Sequence, residues 1–123
     1  MQLAPTEEEL MQHLWKLEKA FLKDLLKEYS DPKPAPTTVA TLLKRMTDKG
    51  YVDYKQVGRA RQYYPLVKKS DYFSKQVNGM IKKFFDNSAA QFASFFTSET
   101  ELSEEELKEL KAIVEKEIER KNQ

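Results

Sequence analysis

A mainly α fold carrying one small β-hairpin follows from three features of the sequence. Apolar residues recur at helical spacing before residue 50 and again after residue 70; a short stretch between them alternates like strands; proline or glycine stands at the joints. With 123 residues, the chain suffices for one domain, or for one small domain with an appendage. Its 40% hydrophobic, 33% charged and 11% aromatic residues suit a folded chain with a core rather than a disordered one.

The first helix is expected to open on a capping box, Thr6 with Glu9, and to bury Leu10, Met11, Leu14, Trp15 and Leu17. After a short connection around Lys19, Phe21, Leu22, Leu25, Leu26 and Tyr29 predict a second amphipathic helix. The segment "SDPKPAP" stops it, because its three prolines cannot continue a helix. A third helix should start near Pro36, where a fixed φ suits the first helical position, and end at Lys49 with Gly50 as its stop. At 100° per residue, Val39, Leu42, Leu43 and Met46 share one face. Thr37, Thr41, Lys44 and Asp48 fall opposite, with Arg45 beside them.

Strands are expected near Val52–Val57 and Arg61–Leu66, joined through Gly58, whose missing Cβ permits a tight turn at positive φ. Arg59 and Arg61 flank Ala60 at that tip. Three helices and a hairpin in this order predict a winged helix-turn-helix over residues 1–70. Helical period then returns over residues 71–123: Phe73, Val77, Met80, Ile81, Phe84 and Phe85 form a stripe, and Phe92, Phe95 and Phe96 continue it. A second capping box, Ser103 with Glu106, opens a last helix bearing Leu107, Leu110, Val114 and Ile118. So much apolar surface on helices after a complete small domain points to a partner chain.

Net charge is only +1, but it is segregated. Residues 1–70 hold 13 Lys and Arg against 9 Asp and Glu, net +4, and residues 71–123 hold 8 against 11, net −3. The surplus concentrates between Lys44 and Lys69, and segregation of this kind speaks of partners. A helix that enters a major groove needs short or hydrogen-bonding side chains near its N-terminus and cations further along to meet phosphate. Thr37, Thr38 and Thr41 followed by Lys44 and Arg45 meet that order. At the wing, Arg59 and Arg61 can lie along the backbone or reach into the minor groove, with Lys55 extending the contact. The expected partner is double-stranded DNA.

Other chemistries find little support. Cysteine is absent, which removes disulfides, thiolate metal sites and cysteine nucleophiles. His13 is the only histidine and is read as structural. The acidic run "TETELSEEELKEL" lacks the alternating ligands and glycine of a calcium loop. No phosphate-cradling glycine loop or nucleophile elbow occurs. No enzyme activity, cofactor, metal or small-molecule ligand is therefore expected. The N-terminus is polar and acidic where a signal peptide is basic and then apolar, and no run is long enough to span a membrane, so a cytoplasmic location without membrane insertion is expected.

The stretch "PTTVATLLKRMTDKGYVDYKQVGRARQYYPLV" resembles the penicillinase repressor family, which includes methicillin-resistance repressors and copper-responsive relatives. Its carriers are Pro5 to Trp15, the pattern TVxTLLxRMxxKG, the strand "YYPLV" and the terminal "LSEEELKEL". The resemblance implies a homodimer that reads a palindromic operator, with the C-terminal helices of two chains interlocked. It implies burial of Phe73, Val77, Ile81, Phe84, Phe85, Phe92, Leu107, Leu110 and Val114 in the dimer seam. It further implies inactivation through a membrane-bound sensor protease, by a cut in the C-terminal region that aligns near Phe95 and Phe96. Three departures stand out. Phe95 replaces an asparagine at the cut; Ala35 and Ala40 stand where the family has a serine cap and a basic residue; and the cysteine-rich hook of the copper-responsive relatives is missing, which argues against copper sensing. The rival reading is a winged-helix module that binds another protein without sequence-specific DNA binding, since fold alone does not dictate function.

Overall fold

The computed structural model describes residues 3–123. Helices α1 (Pro5–Leu17), α2 (Leu22–Glu28) and α3 (Pro36–Asp48) precede strands β1 (Val52–Val57) and β2 (Ala60–Pro65), and α4 (Lys69–Phe84), α5 (Ala89–Glu99) and α6 (Glu104–Lys121) come after them. This mainly helical order with one antiparallel hairpin is the winged helix-turn-helix that the sequence predicts. The chain divides into two units, the first reaching to Gln76 and the second running Val77–Gln123.

Helix α1 begins earlier than the Thr6–Glu9 capping box predicts. Pro5 occupies the first helical position, Ala4 is the N-cap, and Glu7 Oε1 accepts the Ala4 N–H at 2.8 Å. Proline's preset φ starts the helix one residue before Thr6 can cap it, leaving Glu9 to lie 3.9 Å from His13 Nε2. The second expected box forms in full: Ser103 Oγ accepts from Glu106 N at 3.1 Å, and Glu106 Oε1 accepts from Ser103 N at 3.0 Å. The apolar stripe after residue 70 does not run through unbroken. Asp86 and Asn87 both take positive φ, and Ser88 caps a separate α5 by accepting from Gln91 N.

In the first unit, Leu10, Met11 and Leu14 of α1, Leu25 of α2 and Val39, Leu43 and Met46 of α3 are fully buried. Burying one such side chain contributes roughly 1.5–3 kcal/mol. Val52 and Tyr63 close this core from the hairpin. A β-bridge outside the hairpin, Ala20 to Tyr63, ties β2 to the connection between α1 and α2 through two hydrogen bonds of 2.8 and 2.9 Å.

The second unit is different. No described residue from Val77 onward is buried. Phe85 packs its ring 5.5 Å from both Phe92 and Phe95, and Phe92 stacks on Phe96 at 5.9 Å. These contacts leave Phe84 67% and Val114 57% exposed, along with Val77, Ile113 and Ile118.

Candidate nucleic-acid interface

Helix α3 sorts its residues as the 100° spacing predicts. Val39, Leu42, Leu43 and Met46 are buried, whereas Thr37, Thr38, Ala40, Thr41, Lys44, Arg45 and Asp48 are exposed or partly so. Thr37, Thr41 and Lys44 lie within about 40° of the direction opposite Val39, while Thr38 and Arg45 sit on one flank and Ala40 on the other. Thr38 lines a small cleft with Glu9, Tyr29 and Leu42. Thr41 donates its hydroxyl proton to the Thr37 carbonyl at 2.9 Å, so toward a ligand it presents an acceptor and a methyl group. The hydroxyls of Thr37 and Thr38 keep both donor and acceptor character.

Three devices hold α3. At its start, Ala35 supplies no cap oxygen, and the preceding turn is fastened by Lys33, whose Nζ donates to the carbonyls of Leu26, Lys27 and Tyr29 at 2.6–3.4 Å. One ammonium thereby satisfies carbonyls that the end of α2 leaves open. At its finish, Gly50 with φ +84° turns the chain out of the helix in a conformation that only glycine adopts cheaply. Beside it, Lys49 donates to both Glu7 oxygens at 3.0 Å.

Glu7 is 1% exposed and Lys49 30%. Burial alone pushes the Glu7 carboxyl up, but the Ala4 N–H, the Lys49 ammonium and the charge of Arg45 outweigh it and hold the carboxyl below its ordinary 4.5. A lowered folded-state value means that this pair stabilises the fold above about pH 4.5 and that its contribution fades as pH falls through the lowered value. Glu7→Gln is expected to cost about 2 kcal/mol at pH 7, less than a fully buried pair because Lys49 can turn to water. The melting temperatures of parent and variant should converge as pH falls through the lowered Glu7 value.

The hairpin pairs Val57 with Ala60 and Tyr54 with Tyr63, leaving a two-residue loop, Gly58–Arg59. Gly58 takes φ +63° at the loop position where hairpin turns demand it. Arg59 and Arg61 are both exposed and form no ion pair among the described residues. The pairing separates the wing cations, however. Gln56 opposes Arg61 and Lys55 opposes Gln62, so the period of two places Arg61 and Lys55 on opposite faces of the ribbon. Arg61 places its guanidinium carbon 4.3 Å from the centroid of the Tyr54 ring, a cation–π contact that restrains the side chain. Arg59, at the turn, stands apart from both faces.

Two predicted site residues have other neighbours. Lys44 lies 3.4 Å from Asp48, one turn along the same exposed face, so a carboxylate stands on the surface that would meet phosphate. Asp48→Asn should raise affinity for double-stranded DNA about twofold to fivefold, the equivalent of one exposed charge pair, as measured by fluorescence anisotropy at fixed salt. Phe73, expected in the seam, is partly buried against the first unit's core, its ring 5.8 Å from Trp15 and 5.5 Å from Tyr72. Tyr72 is buried, donates to Glu8 at 2.6 Å and accepts from Leu3 N. Burial first, then the hydrogen bond to Glu8, push its phenol up to about 12. Phe73 follows this aromatic corner inward, which helical spacing alone could not reveal. Lys33 also escapes a reading of the sequence, because nothing local marks it as a cap for the preceding helix.

Among the described residues, no group of three or more His, Asp or Glu side chains could hold a metal ion, and no helix is long and apolar enough to cross a membrane. His13 packs edge-on against Tyr29 at 4.5 Å, and burial raises the Tyr29 phenol to about 12, aided by the charge of Glu9.

Comparison with known proteins agrees with this geometry. The methicillin resistance regulatory protein MecI of Staphylococcus aureus (strain N315) is 29% identical over 116 residues, 94% of either chain. The penicillinase repressor of Bacillus licheniformis is 28% identical over 123 residues, 99% of this chain and 96% of that one. Among solved structures, the DNA-binding domain of the repressor BlaI matches 58% of this chain and 88% of its own, with 32% identity and a TM-score of 0.51. The family model described as penicillinase repressor matches residues 3–116. A match of that extent takes in the three N-terminal helices, the hairpin and most of α4 to α6, and so the chain belongs to the penicillinase repressor family.

Proposed function

We propose that this protein is a homodimeric, DNA-binding transcriptional repressor that reads a palindromic operator with α3 and the wing. One observation carries the reading. An α-helix whose inner face is wholly buried offers Thr37, Thr41 and Lys44 in a line to solvent, and it is followed by a hairpin tip with two arginines outside any ion pair among the described residues. In this reading Thr37, Thr38 and Thr41 face base edges, and Lys44, Arg45, Lys55, Arg59 and Arg61 bind phosphate or the minor groove. With Arg61 and Lys55 on opposite faces of the ribbon, Arg59 and Arg61 carry the main wing contact and Lys55 a lateral one. The solved BlaI domain, named for DNA binding, supports the placement by likeness.

Residues 1–70 form the reading head and residues 71–123 the dimerisation region. Phe73, Val77, Ile81, Phe84, Phe85, Phe92, Leu107, Leu110 and Val114 bury the seam, Phe73 also packing against the core of the first unit. The support is energetic: a helical unit with no buried residue among those described lacks the apolar burial that offsets the entropy of ordering it, and a second copy supplies that burial. Proteolysis near Phe95 and Phe96 releases the heads in this reading. Both rings are exposed, and α5, with nothing buried, opens locally at little cost.

Selection of bound sequences from a random DNA pool by the purified protein tests the reading. The expected outcome is one palindromic consensus with half-sites a helical turn or a multiple of it apart, together with binding that falls steeply with salt. Absence of any retained DNA at low salt would overturn it in favour of the protein-interaction module.

A further inference from the structure

A hollow of about 620 Å3 in the first unit is lined by Phe21, Leu22 and Lys23 on one side and by Val57, Arg59, Ala60, Arg61 and Tyr63 on the other. Its size suits a small ligand, although the sequence raised no expectation of one. We infer that this cleft binds a small organic carboxylate with an apolar body, and that its occupant competes with DNA for Arg59 and Arg61. The competition rests on the proposed DNA reading; the binding site does not.

Three observations converge on that chemistry. First, Lys23, Arg59 and Arg61 border the cleft while no Asp or Glu lines it, and none of the three cations has an ion-pair partner among the described residues. Arginine's fork of N–H donors matches a carboxylate. Second, the walls between the cations are apolar. Phe21 and Leu22 are only half-buried and Val57 is 40% exposed, surface that a phosphate-binding wing has no use for. Third, the outer edge of β2 is open at this point. Tyr63 exchanges both its backbone bonds with Ala20, and alternate residues of a strand point their backbone groups to the same edge. The N–H of Arg61, two residues nearer the tip, therefore faces the cleft side with no backbone partner, and it adds a directed donor to the three charges.

The test uses the full chain, with decanoate as probe and with acetate and decan-1-ol supplying the charge and the apolar body separately. Amide chemical shifts of Leu22, Arg61 and Tyr63 are expected to move saturably with decanoate, and each half-probe should bind at least about tenfold more weakly. Lys23→Gln should weaken decanoate about fivefold and leave DNA affinity unchanged. Decan-1-ol binding as well as decanoate, shifts confined to residues after Val77, or Lys23→Gln without effect would each overturn the site. Decanoate should also raise the apparent Kd for operator DNA in proportion to cleft occupancy. Saturable shifts with an unchanged Kd would overturn the competition alone, and failure to bind DNA at all would sink the repressor reading while the shift experiment still judged the cleft.

Discussion

Val114→Glu is expected to leave each protomer folded, to abolish the dimer and to lower affinity for a full palindromic operator by about a hundredfold to ten-thousandfold. The side chain is 57% exposed within the protomer, so the substitution removes little intramolecular packing. In a two-fold seam it places two extra carboxylates on a helix that already opens with Glu104, Glu105 and Glu106. Like charges desolvated together cost far more than the lost apolar burial. The loss in DNA binding is one of linkage: a paired second head binds as if at millimolar local concentration, and a lone head does not. Sedimentation velocity should show a single species of half the parent's mass. Titration of a half-site duplex should give the same affinity for parent and variant. A parent that sediments as a monomer at micromolar concentration would end the dimer reading.

Arg59→Ala combined with Arg61→Ala has the second largest expected effect. If each arginine meets one phosphate, a dimer loses four contacts. The slope of log K against log salt should flatten by about 3 to 4, at roughly 0.9 per phosphate, and affinity near physiological salt should fall on the order of a hundredfold. The two positions are separable. Arg61→Lys keeps the charge and most of the salt slope but gives up the guanidinium's cation–π contact with Tyr54, worth about 0.5–1 kcal/mol at an exposed site. The fold should survive all three changes, since neither side chain is buried. Unchanged affinity and slope in the double variant would remove the wing from the interface.

Helix α3 was legible because its signals are local. Four apolar residues at helical spacing, a proline at one end and a glycine at the other determine the element and its inner face without reference to the rest of the chain. The hairpin was legible for the same reason, with Gly58 marking the turn to within a residue. Legibility failed where distance in sequence mattered. Glu7 reads as one of three consecutive glutamates, yet it alone is sealed inside by Lys49, 42 positions away. Phe73 reads as the first member of a seam, and nothing near it in sequence announces that it also joins the aromatic corner built by Trp15 and Tyr72. Thr6 lost the cap to Ala4 and Glu7, because Pro5 fits the first helical position better than threonine fits the cap. In the wing, alternation alone separates Arg61 from Lys55, but only the bonded register and the ring of Tyr54 say which arginine is held in place.

The indole of Trp15 donates to the Val67 carbonyl at 2.8 Å and lies 5.9 Å from the ring of Tyr72. As the chain's only tryptophan, it makes the indole emission of the whole protein the emission of this one corner, where the strand leaving the wing hands over to α4. Any event that shifts the wing's return or the first turn of α4 should therefore register as a change in wavelength or quenching, with no dye attached.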